Sequence, residues 1–153
     1  MIAPAPGPRF TRLVLAVFRL NGALVATGDH LVGDLGLSTA RWQVLGTIVA
    51  GPLTVPEIGR RMGLTRQSVQ RTANCLVRDG FAEAVGNPAH HTARLYRLTA
   101  MGERVMREVD GRQKAWAARL AEGLAGASLE ATEAMLELLC ARLENPLSKE
   151  VLP

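Results

Sequence analysis

Six hydrogen-bonding side chains crowd the segment 66–74: Arg66, Gln67, Ser68, Gln70, Arg71 and Asn74. They are interleaved with Val69, Thr72, Ala73 and Leu76. At the helical repeat of 3.6 residues, the second set makes one inward stripe and the first set lies on or near the opposite face. The side chains fit a definite chemistry. Gln and Asn carry a donor beside an acceptor, which matches an adenine edge in a major groove. The arginine fork matches guanine, and Ser or Arg binds phosphate. The same face also fits an ordinary solvated helix, so the segment alone leaves both readings open. Catalytic constellations are missing from the sequence. It has no Gly-rich phosphate loop, no HExxH, no G-x-S-x-G and no paired carboxylates, which predicts a protein that is not an enzyme and uses no cofactor or metal. The adjacent His90 and His91 read as a surface pair rather than metal ligands. Cys75 and Cys140 lack CxxC spacing and are expected to be buried thiols of a cytosolic protein.

Charge concentrates around the same segment. The chain of 153 residues carries a formal charge of +4. Residues 54–98 hold seven arginines against three acids, an excess equal to that of the whole chain. Residues 1–53 add two positive charges and residues 99–153 subtract two. A local basic excess is what a polyanion-binding surface needs, although a solvated basic face has the same composition. Nearly half the residues are hydrophobic and few are aromatic, so a core of Leu, Val, Ala and Met is expected.

The elements that must position the polar face are marked by their ends. Thr54 opens a capping box with Glu57, and Pro56 is tolerated in the first turn, which predicts a helix over 55–62 ended by Gly63. Leu64 packs into the turn, and Thr65 caps a second helix over 66–78 that Gly80 ends. Strands over 81–85 and 94–98, joined by the loop GNPAHHTA, make a β-hairpin. Two helices with a tight turn, followed by that hairpin, form a winged helix-turn-helix.

Upstream, residues 1–8 contain three prolines and a glycine and read as a loose tail. A helix over 11–33 is apolar almost all round, which predicts burial on several sides, here by a partner subunit. Arg19, Asn21, Asp29 and His30 interrupt it and argue against a membrane span. The start MIAPAPGPRF lacks the pattern of a secretory leader, so a cytoplasmic protein is expected. Ser38 caps a helix over 39–50, with Trp42, Leu45 and Val49 on one face. Leu53 is expected in a strand of one or two residues. Thr99 caps a long helix over 100–124, and a Leu-rich helix over 129–143 closes the chain.

Together these residues resemble the MarR family of winged helix-turn-helix regulators. The resemblance covers residues 11–144. It is most specific at Glu57-Ile58-Gly59, Gly63-Leu64-Thr65, Val69 with Leu76 and Asp79-Gly80-Phe81, and Leu95-Tyr96-Arg97-Leu98-Thr99 with Gly102. It implies a mainly α fold with a small β-hairpin wing. The division is a tail at 1–10, one domain at 11–144 and a tail at 145–153. Within the domain, the winged helix-turn-helix spans 39–99, and dimerisation helices span 11–33 and 100–144. The implied function is a homodimeric transcriptional regulator, a repressor, that binds a pseudo-palindromic double-stranded DNA operator and is released by a small-molecule effector.

In that arrangement Thr65, Arg66, Gln67, Ser68, Gln70, Arg71 and Asn74 face DNA from the second helix, and Arg60 faces the backbone from the first. The chain departs from the family in its wing. The positions of the family's usual acid and arginine are occupied by His90 and Thr92, which leaves Arg94 and His91 as the wing's candidate DNA contacts. An effector site between the dimerisation helices and the DNA-binding lobe would draw on Asn21, His30, Arg41, Trp42 and Trp116, with Asp29 nearby. The altered wing keeps one alternative open, a winged-helix protein-interaction module with weakened DNA binding.

Overall fold

The computed structural model describes residues 6–144. The expected tail at 145–153 and the first five residues lie outside the described part. The element order is α1 (Pro6–Val32), a short 3-10 turn (Gly33–Leu35), α2 (Thr39–Thr47), β1 (Leu53–Thr54), α3 (Val55–Met62), α4 (Arg66–Arg78), β2 (Ala82–Val85), β3 (Leu95–Leu98), α5 (Ala100–Leu120) and α6 (Gly126–Glu144). The described residues group into two compact units that part between Gln113 and Lys114, inside α5.

In the first unit, α1 starts five residues earlier than the sequence indicates, at Pro6. The prolines do not prevent this, because N–H groups in a first helical turn have no intrahelical acceptor to lose. Thr11 Oγ1 donates to the Gly7 carbonyl at 3.2 Å and supports that turn. The helix is long and apolar enough over Gly7–Leu35 to match a membrane span by composition. Its C-terminal part is instead docked onto α2. Asp29 Oδ1 accepts the Thr39 backbone N–H at 2.6 Å, and Thr39 Oγ1 donates to the Val25 carbonyl at 2.8 Å. The Thr39 N–H holds the Asp29 carboxyl below its ordinary value.

Helix α2 begins at its expected cap, with Ser38 Oγ accepting from the Arg41 N–H at 3.3 Å. It ends at Thr47, three residues short of expectation. The Ile48 N–H bonds to Leu45 O, a tightening to the three-residue spacing that closes many helices. Val49 is thereby turned outward and leaves the face that helical spacing gives it.

The central pair follows the sequence closely. Helices α3 and α4 have the expected bounds. Glu57 Oε2 accepts both the Thr54 N–H (2.7 Å) and the Thr54 hydroxyl (2.6 Å). These bonds keep the Glu57 carboxyl below its ordinary value, the hydroxyl contributing most. Gly63 takes the left-handed conformation (φ 62°) that lets the chain reverse in so few residues. Leu45, Ile58, Val69 and Leu76 are fully buried around the pair, each contributing on the order of 1.5–3 kcal/mol through the apolar surface withdrawn from water.

The wing is one strand richer than a hairpin. The antiparallel sheet has the order β1-β3-β2, with Tyr96 on the middle strand opposite both Leu53 and Ala84. In α5, Thr99 Oγ1 accepts the Gly102 N–H at 3.1 Å and donates to the Gly80 carbonyl at 2.6 Å, so the cap also pins the end of the turn after α4.

The second unit holds the end of α5 and α6. Helix α5 stops at Leu120, four residues before the expected end, and α6 starts at Gly126, three before its expected start. Gly123, with a φ of 79°, marks the break. Leu136 and Leu139 are half-buried, whereas Leu129 and Leu143 are exposed. Cys140 is exposed and Cys75 half-buried, so neither thiol is buried as expected. Cys75 lies outside the buried set Val69, Ala73 and Leu76 of α4, and α6, which carries Cys140, has no fully buried residue.

Candidate nucleic-acid interface

Helix α4 delivers most of the polar face intact. Thr65 Oγ1 accepts the Ser68 N–H at 3.2 Å, so its hydroxyl oxygen is engaged as the helix cap. Arg66, Gln67, Ser68, Arg71 and Asn74 are exposed. Because Val69, Ala73 and Leu76 are anchored in the core, the rotation of α4 is fixed and these side chains have one direction in which to point. Arg60 is exposed on α3 as well.

Gln70 differs from its neighbours. It is half-buried, and its Nε2 donates to the Tyr96 hydroxyl at 2.8 Å and to Asn74 Oδ1 at 2.9 Å. Its partner on the wing lies 26 residues away, a contact that helical spacing does not reveal. A cleft of about 340 Å³ opens between α4 and the wing, lined by Arg66, Gln70 and Asn74 on one side and Thr92, Arg94 and Tyr96 on the other. Arg94 is exposed, but its Nη2 donates to the Ala84 carbonyl at 2.8 Å, which braces its guanidinium along the hairpin. Arg97 pairs with Glu83 across the strands at 2.7 Å. His91 is exposed in the wing loop.

Of the five residues expected at an effector site, four lie in the first unit and Trp116 lies in the second. Asn21 is exposed on α1. His30 is exposed and its Nδ1 donates to the Ala26 carbonyl at 2.8 Å. Arg41 ties α2 to the end of α4. It donates to the Gly36 carbonyl at 2.6 Å, to the Cys75 carbonyl at 3.4 Å and to Asp79, and its guanidinium lies 5.6 Å from the centre of the Phe81 ring. Trp116 is half-buried on α5 in the second unit. Only Trp42 lines the large cleft of the first unit, an opening of about 1040 Å³. Its other walls are Ile48, Val49, Leu98, Met106 and Val109, with Arg97, Glu103, Arg107, Asp110 and Gln113 at polar positions. The α5 contributors 103, 106, 107, 110 and 113 recur at helical spacing. That periodicity is present in the sequence but is masked there by the apolar stripe of the same helix.

Comparison with known proteins places the arrangement. A sequence profile of the MarR family matches residues 35–91. The uncharacterized protein Rv2011c of Mycobacterium tuberculosis is 41% identical over 133 residues, covering 87% of this chain and 93% of that protein. Among solved structures, a mutant MarR from E. coli complexed with operator DNA superposes with a TM-score of 0.75 at 19% identity, covering 98% of this chain and all of that one. The PcaV transcriptional regulator from Streptomyces coelicolor, in complex with its natural ligand, gives a TM-score of 0.67 at 24% identity, over 94% of this chain and all of that one. The capped helix pair, the three-stranded wing and the flanking helices thus have their counterparts in these regulators, and the chain belongs to the MarR family of winged helix-turn-helix transcription regulators.

Proposed function

We propose that the protein is a sequence-specific double-stranded DNA-binding transcriptional repressor, acting in the cytoplasm as a homodimer on a pseudo-palindromic operator. The observation that carries this reading is the exposed set Arg66, Gln67, Ser68, Arg71 and Asn74 on a helix whose rotation the core fixes. A helix so presented enters a major groove, with Arg60 and Arg94 in reach of the flanking phosphates. One copy reads only a few base pairs. Two copies related by a two-fold axis read both halves of a pseudo-palindrome.

Selection from random duplex oligonucleotides tests the proposal, with enrichment of a two-fold-symmetric site as the expected outcome. On that site, Arg71→Ala weakens binding by ~1–3 kcal/mol and relaxes preference at one base pair. A uniform loss, with the salt slope lower by about one, assigns Arg71 to a phosphate instead. No change in affinity or salt slope removes Arg71 from the interface. The second reading, a winged-helix interaction module, draws on Thr92 at the family's wing-arginine position and on the brace from Arg94 to Ala84. Absence of any enriched sequence is the outcome that favours it.

Release by a small-molecule effector belongs to the same proposal. The cleft beside Trp42 has apolar walls and a few polar positions, the make-up of a small-ligand site. PcaV was solved with its natural ligand. A compound that occupies the cleft is expected to lower affinity for the selected operator and to protect this chain's fold against heat.

A further inference from the structure

The hydrogen bond between Gln70 and Tyr96 joins the reading helix to the middle strand of the wing, and its chemistry bears on which bases are read. Tyr96 is the only tyrosine in the sequence, and its ring is buried (6% exposed). Its hydroxyl emerges at the cleft between α4 and the wing. There it accepts from Gln70 Nε2 at 2.8 Å, while the same nitrogen donates to Asn74 Oδ1 at 2.9 Å. Both N–H bonds of the Gln70 amide are thereby used, leaving its Oε1 and the Asn74 Nδ2 as the groups the pair still offers.

This matters because a free Gln or Asn is an ambiguous reader. Half a turn of its amide exchanges donor and acceptor, so it suits more than one base edge. Here the Gln70 amide cannot turn alone, since its Oε1 would then oppose Asn74 Oδ1, acceptor against acceptor. Asn74 is exposed and one helical turn from Gln70, so its orientation is set through Gln70. Tyr96 is the fixed end of this chain, because its ring is packed in the core; its hydroxyl can accept or donate, so it fixes where the Gln70 amide lies, and the two amides can turn only together.

We propose that Tyr96 determines sequence specificity as a positioning residue: through its hydroxyl it holds in place the Gln70–Asn74 amide pair that α4 presents to the major groove. The inference rests on the DNA-binding reading above. Tyr96 itself touches no base. Its effect appears as discrimination among bases rather than as attraction to DNA in general.

The full-length protein is used to select its operator, and affinities are then measured for that site and for each single-base variant of it. Tyr96→Phe keeps the buried ring and removes only the hydroxyl. Its thermal midpoint is expected to shift by no more than about 4 °C. Affinity for unrelated duplex DNA and the salt slope are expected to match the wild type. At the one or two base pairs read by the amide pair, discrimination falls by about tenfold. Gln70→Met is expected to produce the same loss, and the double variant to lose no more than Gln70→Met alone, since the two residues act in series. An unchanged set of preferences in Tyr96→Phe, additive losses in the double variant, or a loss shared equally by unrelated DNA would each overturn the proposal. If the wild type selects no sequence, the DNA-binding reading itself fails and this inference falls with it. Selection by the wild type with unaltered preferences in Tyr96→Phe overturns this inference alone.

Discussion

Asp79, at the C-terminal end of α4, carries more of the local electrostatics than its exposed position indicates. Arg78 Nε donates to its Oδ1 at 2.9 Å, and Arg41 reaches its other oxygen from α2. The two guanidiniums, Arg78 first, hold the Asp79 carboxyl below its ordinary value. A carboxyl whose folded value is depressed contributes stability that is complete above the unfolded value, ~3.9, and is lost as pH falls through the folded value. Asp79→Asn is therefore expected to lower the thermal midpoint at neutral pH, with the gap to wild type closing in acid. A thermal series from about pH 7 to about pH 3 checks this, and a gap that stays constant would remove the ionised carboxylate as the cause. Asp29, Asp34 and Glu57 add to the same acid limb, each held low by a hydrogen bond from Thr39, Arg112 or Thr54. The role of Arg41 is not legible in the sequence. Its neighbour Trp42 draws it towards an effector site, while the partners that define it stand 34 and 38 residues away.

Among the elements, those whose ends carry their own chemistry are readable. Helices α3 and α4 begin at Thr54 and Thr65 and end beside Gly63 and Asp79, and the side chains that cap them sit within three residues of what they bond. The ends of α2 and α5 fall earlier than spacing suggests, because the apolar pattern continues through Val49 and Leu124 while the backbone has already turned. Helix α1 is longer than its prolines suggest, because proline is a breaker in an interior but harmless in a first turn. In the candidate site, spacing alone places Arg66, Gln67, Ser68, Arg71 and Asn74 outward. It does not anticipate the tie from Gln70 to Tyr96, which depends on how the wing folds back. The start of α5 shows how closely such elements meet. A Cβ on Gly102 would collide with the Phe81 backbone carbonyl, which is itself bonded to the Thr99 N–H at 3.2 Å. Gly102→Ala therefore forces α5 away from the turn after α4, at a cost of ~1–3 kcal/mol. Chemical denaturation measures this as a lower midpoint, and an unchanged midpoint would show that the approach relaxes freely.

For the molecule as a whole, the exposed apolar side chains of α1 call for a covering surface. They include Phe10, Leu15, Phe18, Leu20, Leu24 and Val25, with Phe18 at 69% and Leu15 at 59%. Scattered apolar residues are ordinary on any surface, but this many along one helix make a patch that water disfavours. A bilayer and a second protein surface are the two candidates that the composition of the helix allows. The bonds from Asp29 and Thr39 that fasten the end of α1 to α2 favour protein, since they hold it within a polar-capped fold. A second copy of the chain is the occupant that also serves the proposed operator, because symmetric pairing supplies the second reading helix. Leu15→Glu with Phe18→Glu places two carboxylates in the patch while leaving the buried core residues untouched. Sedimentation is expected to show a wild-type dimer at micromolar concentration and a monomeric variant with an unchanged helical spectrum. Affinity for the full pseudo-palindrome should then fall by roughly 10²-fold or more, as the second contact is no longer tethered, while binding to an isolated half-site is retained. A variant that remains dimeric and holds the full operator would move the interface off this part of α1, and a stably monomeric wild type would remove the pairing altogether.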